Sequence, residues 1–290
     1  MSTLTIKHIT TYRYRKAVAF GEHRMMLRPL NSEDQSVIEA GLIITPTPTS
    51  TSEIQDAFGN HVNIARFADR AKELRFESTL RVNHTHRDIR DFQIEESARS
   101  YPFNYRAQEL SDLARYMQRN PVDADHQVDE WVRTLVRKEP SSDSRELLIN
   151  LTHGINESFK HVRRDEKGIQ RPRQTLELGS GSCRDLAMLM MDAVRSLGMA
   201  ARFVSGYVHI PSENDENYAG GGNTHAWVQV HLPGPGWIDF DPSNGIVGNR
   251  DLVRVAAVAD PRDAIPLYGT WMGLATDYIG MKVEVMVRRN

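Results

Sequence analysis

Apolar and polar positions alternate over the opening stretch of the chain. Ile6, His8, Thr10 and Tyr12 interleave with Lys7, Ile9, Thr11 and Arg13, and Tyr14 continues the series. A period of two predicts a strand with one covered face. Residues 37–45 predict a second strand, stopped by Pro46 and Pro48. Asp56-Ala57-Phe58-Gly59-Asn60 is turn chemistry, with Gly and Asn available for positive φ. Residues 62–67 and 74–82 alternate again. Short alternating strands between turns predict an antiparallel sandwich or barrel-like region up to about residue 100.

The period then changes. Leu110, Leu113, Ala114 and Met117 fall on one helical face, and Val128, Val132, Leu135 and Val136 repeat the spacing. Leu147, Leu148, Leu151, Ile155 and Phe159 form a third stripe. Residues 162–168 carry a mixed charge run, expected to be a solvated connection. A Gly/Ser-rich loop at residues 178–182 leads into Cys183, Leu186, Ala187, Met190, Ala193 and Leu197, a helix closed by Gly198. Met190 is expected in its core face, with Met188 and Met191 filling gaps or at the surface. Strands are expected at residues 201–207, 226–232 and 237–240, and a final one at 282–287. The polar, glycine-rich residues 211–222 are expected to form a cover that borders a cleft and disfavours acidic substrates.

Composition narrows the function classes. The length of 290 residues suits roughly two domains, divided here as 1–100 and 101–290. A net charge of -2 argues against a polyanion partner, so no nucleic acid is expected. A single cysteine excludes an intramolecular disulfide and a cysteine-rich zinc site. His84 and His86 lack a clustered third ligand, so they are taken as exposed strand residues and no metal or other cofactor is expected. No apolar run reaches the ~20 residues needed to cross a bilayer, and the first residues lack a signal-peptide pattern. The expectation is a cytoplasmic protein without membrane partners. Nothing in the sequence bears on its oligomeric state.

The lone Cys183 stands at the start of a predicted helix, where unpaired N–H groups and the helix dipole favour thiolate over thiol. The same N–H groups can stabilise an oxyanion. A nucleophile needs a base, and His225 opens a strand beside glycine-rich chain. His231, six residues on in the same strand, is taken as an ordinary surface histidine. A base needs an orienting acid, and Asp239 and Asp241 point to the same face of the next strand, so parity does not separate them. Asp241 lies nearer the end that meets His225, where its carboxylate is expected to take the Nδ1–H.

Together these segments resemble the transglutaminase-like superfamily. Gly181-Ser182-Cys183-Arg184-Asp185-Leu186-Ala187 is similar to its G-x-C-x-D-x-A element, and Leu197-Gly198-Met199-Ala200-Ala201-Arg202-Phe203-Val204-Ser205-Gly206-Tyr207 to its helix-to-strand passage. His225-Ala226-Trp227-Val228 matches H-A-W-V, with Gln229 where the family often has Glu, and Gly236-Trp237 through Asp241-Pro242-Ser243 matches G-W-x-x-x-D-P-[TS]. Residues 6–14, Leu27-Arg28-Pro29 and residues 56–60 resemble the β-rich region that precedes such bacterial cores. Arg262-Asp263-Ala264-Ile265-Pro266 only faintly resembles a downstream loop, with Pro261 in place of its glycine and no tyrosine after Arg262.

The resemblance implies an α+β protein, with an N-terminal antiparallel β-sandwich or barrel-like domain followed by a papain-like core. It implies Cys183 as nucleophile, His225 as base and Asp241 as orienter, in acyl transfer through a thioester. Gln174 is the candidate second oxyanion donor, and Tyr207 and Trp227 are candidates to line the substrate cleft. The expected activity is a cysteine hydrolase of peptide or isopeptide-type amides in a peptide or protein substrate. The alternatives are an amine-accepting transglutaminase and a non-catalytic binding module.

Overall fold

In the computed structural model, which describes residues 2–119, 126–138, 143–164, 166, 168–210 and 224–290, the opening alternation becomes one long strand, β1 (Ser2–Met25). Leu4, Ile6, His8 and Thr10 are buried along one face of it. It is followed by β2 (Gln35–Thr45), β3 (Ser50–Gln55), β4 (His61–Arg66) and β5 (Arg70–His84). Four helices come next: α1 (Glu96–Arg99), α2 (Ala107–Met117), α3 (Gln127–Lys138) and α4 (Ser144–Ser158). The chain then runs through β6 (Lys160–His161), α5 (Pro172–Leu178), β7 (Ser180–Gly181) and α6 (Cys183–Ser196). The remaining strands are β8 (Ala201–Val208), β9 (His225–Leu232), β10 (Gly236–Asp241), β11 (Ile246–Val247), β12 (Leu252–Val258), β13 (Leu267–Met272) and β14 (Tyr278–Arg289).

The described residues form three sheets. The first is a curled antiparallel sheet in the order β2-β5-β1-β4-β3, with β13 and β14 also paired to β1. It is one sheet rather than a pair of facing sheets, because β1 is long enough to take β5 and β14 along its first half and β4 and β13 along its second. The expected final strand is present as β14, and it lies in the sheet of the N-terminal residues, not in that of the core that precedes it. The second sheet has the order β11-β10-β9-β8-β12, and β6 and β7 form a short parallel pair.

Helix α6 packs against the second sheet and is buried on all sides from Asp185 to Arg195. Met188, Met190 and Met191 are all buried, so none of the three is a surface residue. The apolar core is continuous from Leu4, Ile6, Leu80 and Val82 to Leu186, Leu189, Val228 and Phe240. Polar links join the same two regions. Arg254 on β12 donates to Asp34 and Asp239, and the Asn60 side chain exchanges hydrogen bonds with the backbone of Ala257. The expected turn at residues 56–60 is there, with Gly59 at φ 82°, and it docks onto β12 by this exchange. His84 is buried and only His86 is exposed, because β5 turns its last residue inward. Among the described residues, no group of His, Cys, Asp and Glu is arranged to hold a metal, and no helix is long and apolar enough to cross a membrane.

Candidate active site

The start of α6 is fixed by Asp185. Its Oδ2 accepts from the Ser182 N–H (2.8 Å) and the Ser182 hydroxyl (2.7 Å). Its Oδ1 accepts from the Gln170 N–H (2.7 Å), and Arg164 Nη1 lies 2.9 and 2.8 Å from the two oxygens. A buried carboxylate paired with a guanidinium and satisfied by further N–H groups is a rigid anchor. A side chain at position 181 would bring its Cβ within 2.8 Å of Asp185 Cβ, so this approach requires Gly181. Cys183 is thereby held in the first turn of the helix, partly exposed, with a backbone N–H that has no partner among the described residues. The charge run expected to be a solvated connection supplies this anchor through Arg164. Asp165 and Lys167 lie outside the described residues.

Strands β9 and β10 form an antiparallel hairpin with Phe240 opposite Val228. His225 opens β9 and Asp241 closes β10, both are buried, and they sit on the same face. Gly206 of β8 lies opposite His225, and a Cβ there would come within 2.1 Å of the Val253 carbonyl oxygen, so only glycine fits. His225 Nε2 is 2.7 Å from Asp241 Oδ2. The sequence reading placed Nδ1 against Asp241, and the structure reverses the ring. The two residues are out of register across the hairpin, so the far nitrogen of the imidazole spans to the carboxylate. Nδ1 is left for the thiol. Asp241 also accepts from the Ser243 N–H (3.0 Å), the Ser243 hydroxyl (2.7 Å) and Asn244 Nδ2 (2.7 Å).

The electrostatics follow from these contacts. Burial pushes the Cys183 thiol up, but hydrogen bonds from His161 and His225 and their charge outweigh it and bring the thiol down to about 6. Burial pulls the His225 imidazole down, and the Asp241 carboxylate and the thiolate outweigh that and raise it. Asp241 is held below its ordinary value by His225 and its hydroxyl and amide donors, against the upward push of burial. A thiolate beside an imidazolium, backed by a carboxylate, is a nucleophile with its general acid in place.

Cys183 and His225 open into a cleft of about 790 Å³. One wall comes from the core, including Ser182, Arg184 and Met188. The facing wall comes from the first sheet, with His8, Thr10 and Tyr12 of β1 and Met281 and Val283 of β14. The return of β14 to β1 therefore shapes the cleft. Asp260, Pro261, Arg262, Ile265 and Pro266 also line it, so the segment with only a faint family pattern lies beside the thiol.

Residues 114–242 match the model of the transglutaminase-like superfamily, and residues 4–83 match that of the bacterial transglutaminase-like N-terminal region. The chain carries a transglutaminase-like core at residues 114–242 behind a bacterial transglutaminase-like N-terminal region. Among its relatives, the uncharacterized protein Rv2569c of Mycobacterium tuberculosis (strain H37Rv) is 27% identical over 278 residues, covering 91% of this chain and 86% of that protein. The uncharacterized protein ML0607 of Mycobacterium leprae is 31% identical over 105 residues, covering 36% of this chain and only 37% of that protein. A solved structure of a candidate cysteine protease from Cytophaga hutchinsonii is similar over 100% of this chain and 98% of its own, with a TM-score of 0.69 and 18% identity. The family and the shared fold support a cysteine-dependent enzyme in general.

Within this transglutaminase-like core, the other sequence candidates fall elsewhere. Gln174 is exposed on α5 and does not line the cleft. Tyr207 is fully buried, with its hydroxyl 3.0 Å from His8 Nδ1, so it touches a cleft residue without reaching the cleft itself. Trp227 is fully buried and donates its indole N–H to Asp239 (2.6 Å). Both belong to central strands covered on both faces. His231 packs beside Tyr105 and Trp237, away from the thiol. The sequence reading missed His161, Arg164 and Asn244. Asn244 had a local signal, since an amide three residues after Asp241 in a turn is placed to bond it. His161 had none, because only a two-residue parallel pairing sets it opposite Gly181, two residues before Cys183. The expected cover at residues 211–222 lies outside the described residues.

Proposed function

We propose that this protein is a cysteine hydrolase of peptide or isopeptide-type amides, acting through a thioester. The observation that carries the proposal is the 2.7 Å contact of Asp241 Oδ2 with His225 Nε2, in the cleft that also holds Cys183 at a helix N-terminus. The Cys183 thiolate attacks the amide carbonyl carbon, and the carbonyl electron pair moves to oxygen. The unpartnered Cys183 N–H donates to that oxyanion. His225 passes its proton to the leaving nitrogen as the C–N bond breaks, which leaves a thioester. A water molecule then gives its proton to His225 and attacks the thioester carbon. The acid product departs and the thiolate–imidazolium pair is restored.

The partly exposed Cys183 in an open cleft favours water as the second nucleophile. The test is a panel of peptide, γ-glutamyl and ε-lysyl amides, followed for released amine, with the acyl product analysed with and without added primary amine. Free acid as the main product under both conditions supports a hydrolase. An amide with the added amine as the main product would make the protein a transferase. No release from any amide, with an unreactive thiol, would leave a binding module.

A further inference from the structure

We propose that the cleft takes an amide with a free carboxylate beside its scissile bond, and that Arg184 and Arg171 bind that carboxylate. The inference rests on the hydrolase reading for the amide and on the cleft itself for the charge. Four arginines line the cleft, Arg164, Arg171, Arg184 and Arg262, against two carboxylates, Glu166 and Asp260. Both carboxylates are already matched. Asp260 takes the Arg262 Nε–H at 2.9 Å, and Glu166 lies 3.6 Å from Arg164, which also holds the buried Asp185. Arg171 and Arg184 have no carboxylate partner among the described residues.

Arg184 follows the nucleophile in the first turn of α6. Its guanidinium carbon lies 5.1 Å from the centre of the Phe203 ring, so β8 supports one flat face. Nη2 donates to the Pro261 carbonyl at 3.1 Å and Nη1 to that of Ala264 at 3.4 Å, which ties the group to the segment after β12. Two of the five N–H groups of a guanidinium are used in this way, and the other three have no partner among the described residues. Burial pulls Arg184 below its ordinary value, against the thiolate and Asp185, so a desolvated cation stands beside the nucleophile. A planar fork held by one face and one edge is set to take a carboxylate on its free edge.

Arg171 is the second cation, exposed at the rim immediately before α5. Met188, Met281 and Val283 give the same cleft apolar wall. An ion pair formed against apolar walls is screened less than one in open water. Among the described residues, no carboxylate lining the cleft is left unpaired to repel such a substrate. The sign is opposite to the preference expected of residues 211–222, so one experiment decides between the two.

The test compares two alkylating agents of the sole cysteine in the full chain. Iodoacetate carries a carboxylate beside its reacting carbon, and iodoacetamide is neutral. Both need the thiolate, so the ratio of their rates cancels any change in its amount and reads the charge of the cleft. Arg184→Gln is expected to lower the iodoacetate-to-iodoacetamide ratio about tenfold. Arg171→Gln, a change at an exposed side chain, should lower it about threefold. Succinate should protect wild-type Cys183 from iodoacetamide and protect Arg184→Gln less. A γ-glutamyl anilide should show a kcat/KM about tenfold above that of the same compound with its α-carboxylate converted to a carboxamide, and Arg184→Gln should remove the difference. Ratios within about twofold of wild type in both variants, with no protection by succinate, would overturn the inference. A parallel fall of both labelling rates would do the same, since it would leave Arg184 only a support for the thiolate. Equal cleavage of the anilide and its carboxamide would overturn the inference and leave the hydrolase standing. The expected ratios and protection in a protein that cleaves no tested amide would support the carboxylate site and count against the proposed function alone.

Discussion

Asp239 and Asp241 stand two residues apart on one face of β10, both buried, and their neighbours give them different work. Asp241 faces a histidine with one nitrogen still free for the thiol, and its remaining lone pairs are filled by Ser243 and Asn244. Asp239 faces groups with nothing left to do. Its Oδ1 takes the Trp227 indole N–H and its Oδ2 lies 2.9 Å from Arg254 Nη1. Arg254 in turn holds Asp34 and the Ser32 hydroxyl, from the segment between β1 and β2. One carboxylate ends at the histidine that shares a cleft with Cys183, and the other ends at a seam between two sheets. Strand parity gives the two acids the same address, and only the partner at the far end of each hydrogen bond tells them apart.

The comparison breaks most completely at the sulfur. Cys183→Ala is expected to abolish turnover and leave the unfolding free energy within about 0.5 kcal/mol of wild type, since the side chain is small and partly exposed. Amide hydrolysis and urea unfolding measure the two halves of that statement. Asp241→Asn should lower kcat by about 10–10³, because a neutral amide stabilises the imidazolium less and can present its N–H₂ to Nε2, setting the wrong tautomer. Asp239→Asn should do the opposite. It is expected to cost about 3 kcal/mol of stability, as one member of a buried ion pair loses its charge, while kcat/KM of the folded enzyme stays within about fivefold. The reverse ranking of the two variants in a kinetic assay would show that the roles have been exchanged. The smallest effect is expected at Asn244, whose amide donates to Asp241 and lies 3.2 Å from His225 Nε2. Asn244→Ala removes one hydrogen bond from the pair and should cost about fivefold or less in kcat.

Cys183, His225 and Asp241, which the structure gathers at one cleft, each have a local marker in the sequence: a helix start after glycine and serine, a strand start, and a strand end before proline. Strands β1, β4 and β5 were legible through alternation, since each has one covered face, whereas β2 was marked by the prolines that end it, most of its residues being exposed. Strand β3 was not, because all six of its residues are exposed and polar pattern gives no period. Strand β12 was missed for the opposite reason, being buried at every position from Leu252 to Val258. The pairing of β14 with β1 joins opposite ends of the chain and leaves no trace in local pattern. The ring orientation of His225 and the approach of His161 depend on register and on a two-residue pairing, both set by tertiary structure. Gln174, Tyr207 and Trp227 were chosen by their place in a motif, which says nothing about which way a side chain faces.

Cys183 is expected to be a thiolate at neutral pH, because imidazoles and a helix N-terminus outweigh its burial. The sign is fixed by the lowered thiol: the reactive form is lost as pH falls through about 6 and is complete well below the free-thiol value of about 8.5. The direct measurement is the rate of iodoacetamide labelling of the wild-type protein from pH 4 to 10, with the single cysteine as sole target. The rate is expected to rise with a midpoint near 6 and to be flat through pH 8. A rate that climbs only around pH 8.5 would contradict it.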